Sequence, residues 1–265
     1  MRLALAITSH ERPDALAVVL ASVERLREPP DEIVVADDGS GPATRELIAS
    51  FIARSRVPAR LVSQPHEGFR AARLRNLAIA ATTLDYLVFI DGDMVLHPDF
   101  IADHRRIART GYYTQGVRVL ADPRLSRELA THRRPVPSPL ARGTGFLRRL
   151  YLLHAPLLSM AMRKAANPFI AIKSCNQGFW RADLLRVNGF DEDFVGWGPE
   201  DKELCARLEN SGVARQTLLF GGIACHLHHA PQSRDRLPSL LARLEATRRE
   251  RRVRADHGVD AHLRG

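Results

Sequence analysis

At 265 residues, with 45% hydrophobic and 26% charged side chains, the chain can build one α/β domain with a modest extension and lacks the bias of disordered or collagen-like polymers. Its formal charge of +9 suits polyanions such as phosphate-bearing substrates or acidic membrane surfaces, whereas 6% aromatic content, with arginines mostly in Ala/Leu-rich stretches, argues against nucleic acid. No apolar run reaches the roughly 18 to 20 residues that cross a bilayer and the N-terminal MRLALAITSHERP turns polar too early for a secretory signal, so a cytoplasmic protein is expected.

Residues 3–8 (LALAIT) predict a strand, and Leu16, Val19, Leu20, Val23 and Leu26 follow at helical spacing. The β-branched run 32–36 (EIVVA) predicts a second strand, closed by Asp37-Asp38-Gly39-Ser40 before a helix over 43–54. A third strand is expected at 60–63, a helix at 69–81 and a fourth strand at 86–90 (YLVFI), which runs into Asp91-Gly92-Asp93. This alternation predicts an α/β fold with a mostly parallel sheet and helices on both faces. Ligands of such sheets bind beyond the carboxyl ends of the strands, where both acidic turns lie.

Residues 121–145 are rich in Pro and Arg and read as an insertion loop. Helices are expected near 146–162 and at 181–187, and Pro199-Glu200-Asp201 marks the start of another that runs to about residue 210. A strand is expected at 217–220. The domain reading is a single domain over 1–230, in two halves at 1–120 and 146–230 on either side of the insertion loop, with a basic helical tail at 231–265. Three widely spaced cysteines, Cys175, Cys205 and Cys225, fit reduced thiols better than a disulfide framework.

Asp91 and Asp93 flank a glycine at a strand end, and residues two apart in extended chain share a side. Two carboxylates in one small volume invite a hard divalent cation. Asp37-Asp38 is open to a plain-turn reading, but beside the Asp91 loop its carboxylates can take hydrogen bonds from a ribose or a base edge. Glu200 and Asp201 sit at a helix N-terminus, which favours an ionised, basic carboxylate. Trp197, between Gly196 and Gly198, offers an indole for stacking on a sugar or for the core. One of His226, His228 and His229 can complete a metal site, and imidazole favours Mn²⁺ over Mg²⁺.

Four ordered segments, IVVADDGS, GFRAARLRNLAIA, LVFIDGDMVLHPDF and CNQGFWRADLLRVNGFDEDFVGWGPEDKELCARL, resemble the family-two glycosyltransferases over about residues 1–230. The last of them is also similar to the acceptor-side region of β-1,4-galactosyltransferases and of chondroitin-polymerase-type domains. The resemblance implies a GT-A (Rossmann-like) fold, an inverting displacement and a nucleotide-sugar donor, most often a UDP-sugar. By position it implies that Asp37 and Asp38 hold the base or ribose, Asp91 and Gly92 the ribose side, and Asp93 an Mn²⁺ or Mg²⁺ ion, with His226 the preferred further ligand. Thr8, Ser9, Arg12, Arg73 and Asn76 would line the donor pocket. Asp201 would be the base, with Glu200 beside it orienting sugar hydroxyls and Asn176, Trp197 and Gly198 on the acceptor side. The expected partners are a glycan or glycolipid acceptor of bacterial surface polysaccharide or lipopolysaccharide synthesis and, peripherally, the inner membrane face. A sugar-phosphate nucleotidyltransferase would need a glycine- and Lys/Arg-rich triphosphate loop, which ITSHERPD lacks. An inactive carbohydrate-binding module would dispense with the acidic residues at 91, 93, 200 and 201 that are present here.

Overall fold

The computed structural model describes residues 1–132, 136–137, 139, 142–163, 171–230 and 235–263. Strands β1 (Leu3–Ser9), β2 (Glu32–Asp37), β3 (Ala59–Ser63) and β4 (Tyr86–Asp91) alternate with helices α1 (Pro13–Val23), α2 (Pro42–Arg54) and α3 (Ala71–Ala80). Next come β5 (Met94–Leu96), α4 (Phe100–Ile107), β6 (Tyr112–Gly116), β7 (Arg118–Leu120), α5 (Pro123–His132), a 3-10 helix (Phe146–Leu152) and α6 (Pro156–Ala161). The chain continues through β8 (Asn176–Trp180), α7 (Arg181–Arg186), α8 (Glu200–Asn210), β9 (Ala214–Leu218), β10 (Ala224–His226), α9 (Leu237–Arg249) and a second 3-10 turn (Val259–His262).

The main sheet has the order β3-β2-β1-β4-β8-β6-β9. Its first four strands are parallel, and β8 runs antiparallel to both β4 and β6. Every residue of β1 is buried, because helices cover both faces. Alternate side chains serve the two sides: Leu3, Leu5 and Ile7 pack with Val19, Ile48 and Phe51, while Ala4 and Ala6 pack with Leu74, Ile79 and Phe89. The small side chains of Ala4, Ala6 and Ala36 let α3 lie close to the strands. A second sheet, β5-β10-β7, closes over the end of β4.

Three sequence expectations change. The stretch 121–145 contains α5, whose Leu125 and Leu129 are buried with Val95, Cys225 and Leu227. The Asp122 carboxylate accepts the Leu125 N–H at 2.7 Å, a capping signal that Asp-Pro carries in the sequence. Residues 133–135, 138 and 140–141 of that stretch lie outside the described residues. The helix expected over 146–162 is two short helices, since Pro156 has no N–H to continue the first and starts the second. The basic tail is part of the core: α9 buries Leu240, Leu244 and Thr247, and Val259 beyond it is fully buried. Arg248 and Arg249 are exposed while its apolar stripe faces in, and Arg243 pairs with the buried Asp191 at 2.9 Å. Residues 231–234 and 264–265 lie outside the described residues.

Candidate active site

The register of β1 and β4 sets Thr8 beside Asp91, and the Thr8 hydroxyl donates to Asp91 Oδ1 at 3.1 Å. The next turn crosses the end of β1: Gly92 N–H donates to Thr8 O at 2.7 Å, and a Cβ at Gly92 would sit 2.9 Å from that oxygen. Glycine therefore permits the close approach that carries the chain from the main sheet into the small one. There β10 lies antiparallel to β5 with His226 opposite Met94, and Leu227 N–H donates to Asp93 O at 2.9 Å. The result is a cluster in which His229 Nε2, His226 Nε2 and Arg12 Nη1 stand 3.3, 3.5 and 4.0 Å from Asp93 Oδ2. His228 is exposed and outside this cluster, and its backbone N–H donates to Ser126 Oγ on α5 at 2.8 Å.

Burial, and then the neighbouring Asp91 charge, push the Asp93 carboxyl up to about 7, against the pull of His229 and Arg12. Burial, followed by Arg118, takes His226 down to about 4, so its imidazole is neutral and carries a lone pair near pH 7. His229 Nδ1 lies 2.6 Å from Ala230 O, a contact that orients the ring with Nε2 toward Asp93. Asp93 Oδ1 is buried with no hydrogen-bond partner. The Asp93 carboxylate, one oxygen of which is a buried orphan, and the imidazoles of His226 and His229 bring ligand atoms within 4.8 Å of one another, a donor set that fits a divalent first-row ion.

The second group of carboxylates stands opposite. Pro199 starts α8, whose first turn carries Glu200 and Asp201. Arg75, which projects from α3 and is almost fully buried, bonds Glu200 Oε1 through Nη1 at 2.9 Å and approaches Asp91 Oδ1 through Nη2 at 3.4 Å. This guanidinium ties the two acidic motifs together. The sequence reading named Arg73 and Asn76 but not Arg75; its signal was a lone arginine on the inward stripe with Leu74 and Ile79. Burial pushes Glu200 up to about 7 despite Arg75, and its Oε2 is buried without a partner. Burial also raises Asp201, opposed by Arg75 and by the backbone. The two oxygens of Asp201 accept N–H bonds from Ser174 at 2.9 Å and Lys202 at 2.7 Å, which fix the orientation of its carboxylate.

Beyond β2 the adjacent aspartates do different things. Asp37 accepts the Ser40 N–H at 2.8 Å and the Ser40 hydroxyl at 2.6 Å, so its carboxylate is consumed in closing the turn. Asp38 accepts from Gln64 Nε2 at 2.6 Å, and Gln64 in turn accepts from Arg73 at 2.9 Å. His66 Nδ1 meets the other Asp38 oxygen at 2.9 Å, and the rings of His10 and His66 stack at 4.2 Å. Ser9 is buried, its carbonyl holding the Asp38 N–H at 2.9 Å.

A family model described as Glycosyl transferase family 2 matches residues 5–166. The chain belongs to this family. A second model, described as the N-terminal domain of galactosyltransferase, matches residues 158–230, which hold Glu200 and Asp201. Validoxylamine A glucosyltransferase of Streptomyces hygroscopicus subsp. limoneus is 30% identical over 222 residues, covering 80% of this chain and 48% of the relative. Chondroitin synthase of Escherichia coli is 24% identical over 242 residues, covering 84% of this chain and 34% of the relative. The chain thus spans about a third to a half of the length of these relatives. Among solved structures, S. aureus TarS 1-349 in complex with UDP-GlcNAc superposes with a TM-score of 0.65 at 13% identity, over 99% of this chain and 69% of that one. The mannosyltransferase PcManGT from Pyrobaculum calidifontis, in complex with GDP-Man and Mn²⁺, gives a TM-score of 0.59 at 16% identity, over 99% and 72%. The fold is GT-A.

Four positions expected to touch ligands serve the framework in this family-two chain. Asn76 is buried, its amide donating to Phe190 O and Glu192 while its oxygen accepts the Phe190 N–H, so it has nothing left for a donor. Asn176 is likewise buried, bonded to His104, Val117 O and Gly222 O. Asp37 is spent on its turn. At Gly198 a Cβ would fall 2.5 Å from the Leu240 side chain, so the missing side chain makes room for α9. Trp197 is exposed in the loop ahead of α8.

Proposed function

We propose that the protein is a metal-dependent, inverting glycosyltransferase that moves a sugar from a nucleotide-sugar donor, a UDP-sugar first among them, to a glycan or glycolipid acceptor in bacterial surface polysaccharide or lipopolysaccharide synthesis. One observation carries the reading: Arg75 joins Asp91 of the strand-end motif to Glu200 of the α8 motif, so donor-side and acceptor-side carboxylates face one space. The TarS and PcManGT structures, which contain UDP-GlcNAc and GDP-Man with Mn²⁺, support the donor class and the ion.

In this reading Asp38, set by Gln64 and His66, takes the base or ribose, with Thr8, Ser9, Arg12 and Arg73 around it. Asp91 and Gly92 lie on the ribose side. Asp93, with His226 or His229, holds Mn²⁺, or Mg²⁺ in its place. The bound ion supplies positive charge beside the leaving diphosphate. Asp201 takes the proton of the acceptor hydroxyl, whose oxygen bonds C1 as the bond from C1 to the diphosphate oxygen breaks on the other face, inverting the centre. Glu200, held by Arg75, orients sugar hydroxyls, and Trp197 stacks on the acceptor.

The test is donor hydrolysis by the purified protein over UDP-, GDP- and dTDP-sugars with Mn²⁺, Mg²⁺ or chelator, for wild type and Asp93→Ala. Release of one nucleotide, lost with chelator and in the variant, is expected. No metal-dependent turnover and no nucleotide binding with any donor would sink the reading in favour of an inactive binding module.

A further inference from the structure

Six of the twelve exposed large hydrophobic residues among those described, Leu150, Leu153, Leu157, Leu158, Met160 and Met162, fall within thirteen consecutive positions. They lie on the end of the 3-10 helix, on α6 and on the residues that directly follow each. This arm is pinned to the fold from its inner side. Leu152 is buried against Val119 and Ile223, Ala155 N–H donates to Phe220 O at 2.9 Å, and His154 Nε2 lies 2.9 Å from the buried Asp103. The outer side therefore stays apolar while the arm is folded, and Leu157 is 84% exposed. Scattered single exposed leucines are ordinary; a contiguous set on one short arm marks an interaction surface.

Charge identifies what covers it. Between Glu128 and Asp183 the sequence contains no acidic residue and nine lysines and arginines, Arg142, Arg149 and Arg163 among them. A second copy of the same chain would set this basic segment against another of the same sign. An anionic bilayer instead accepts apolar side chains below the headgroup level and pairs the flanking cations with lipid phosphates. Among the described residues no helix is long and apolar enough to cross a membrane.

We infer that residues 150–162 are a monotopic docking arm that inserts its leucines and methionines into an anionic lipid surface. The arm leads, twelve residues on from Met162, to Ser174, whose N–H holds the Asp201 carboxylate. The docking does not rest on the proposed function.

The experiment is co-sedimentation of the full chain with phosphatidylglycerol/phosphatidylcholine vesicles and with phosphatidylcholine vesicles. Wild type is compared with the triple variant Leu157→Ser, Leu158→Ser and Met162→Ser. Donor hydrolysis without lipid and thermal unfolding are recorded on the same samples. Wild type is expected to bind the anionic vesicles, and the variant at least ten-fold more weakly, with the unfolding temperature unchanged. Absence of wild-type binding, or equal binding by the variant, overturns the arm. So does a wild-type dimer in light scattering that the variant dissolves, because the patch would then be a self-contact. Vesicle binding with no donor hydrolysis would leave the arm standing and count against the enzyme reading alone.

Discussion

Replacing Asp93 by Asn should make the metal-free protein more stable while removing its response to metal. In the fold the carboxyl is pushed from its ordinary 3.8 up to about 7, chiefly by burial and then by Asp91, and its side chain is 15% exposed, so solvent screens little of this. The folded pKa lies above the unfolded one. The contribution that protonated Asp93 makes to folding is therefore fully present below about 3.8 and is lost by the time the pH passes about 7. Above that, the ionised group costs on the order of 4 kcal/mol, at about 1.4 kcal/mol per pH unit. Asn has no charge to desolvate, so at pH 8 in chelator the variant should melt at least about 5 °C higher, given roughly 2 to 4 °C per kcal/mol at this chain length. The gain should shrink at pH 5. Mn²⁺ at about 100 times its Kd should raise wild-type stability by about 2.7 kcal/mol and leave the variant unmoved. Thermal melts of both proteins at the two pH values, with Mn²⁺ and with chelator, read all of this. A variant that is no more stable at pH 8, or that gains as much at pH 5, would refute the electrostatic account. A variant that still responds fully to Mn²⁺ would remove Asp93 from the ion site.

Asp201→Asn should lower donor turnover by at least about 100-fold while nucleotide binding, followed by calorimetry, stays within about two-fold, because a proton acceptor is lost and the donor side is untouched; an unchanged rate would assign the base elsewhere. Arg207 is fully buried and bonds both oxygens of Glu203 at 2.8 to 3.0 Å, with a further bond to Val187 O, so Arg207→Met should cost about 3 to 5 kcal/mol in urea unfolding by stranding Glu203. A cost under about 1 kcal/mol would show that the pair is dispensable. Gly198→Ala places a methyl 2.5 Å from Leu240 Cδ1 and should cost about 1 to 3 kcal/mol as α9 shifts, with faster proteolysis near residue 240 as the local readout; equal proteolysis would mean that α9 is not displaced.

The acidic motifs and the parallel core were legible because each is local. A β-branched or apolar run followed by Asp-Gly writes a buried strand and its open carboxyl end into adjacent residues. The strands at 3–8, 32–36, 60–63 and 86–90 agree with β1 to β4 within a residue or two. The short strands β5, β7 and β10 have three residues each and too little periodicity to read, yet they carry His226 to Asp93. The helix α5 was hidden by the Arg and Pro around it, although Leu125 and Leu129 stand four apart and Asp122-Pro123 announces its start.

Residue chemistry and order along the chain determined by themselves that acidic pairs would stand at strand ends, that the sheet would be buried on both faces, and which family the chain resembles. Tertiary structure alone decided what each polar group has left to offer. Asp37 and Asp38 are neighbours of identical chemistry, but Ser40 saturates the first, while the second is held through Gln64, itself held by Arg73. Asn76 and Asn176 look like ligand contacts in a motif and are saturated by distant backbone groups. Arg75 looks like one arginine of several and proves to bridge residues 91 and 200. A hydrogen-bond partner more than a hundred residues away leaves no local trace, because burial and partner choice are set when the elements pack and not where they form.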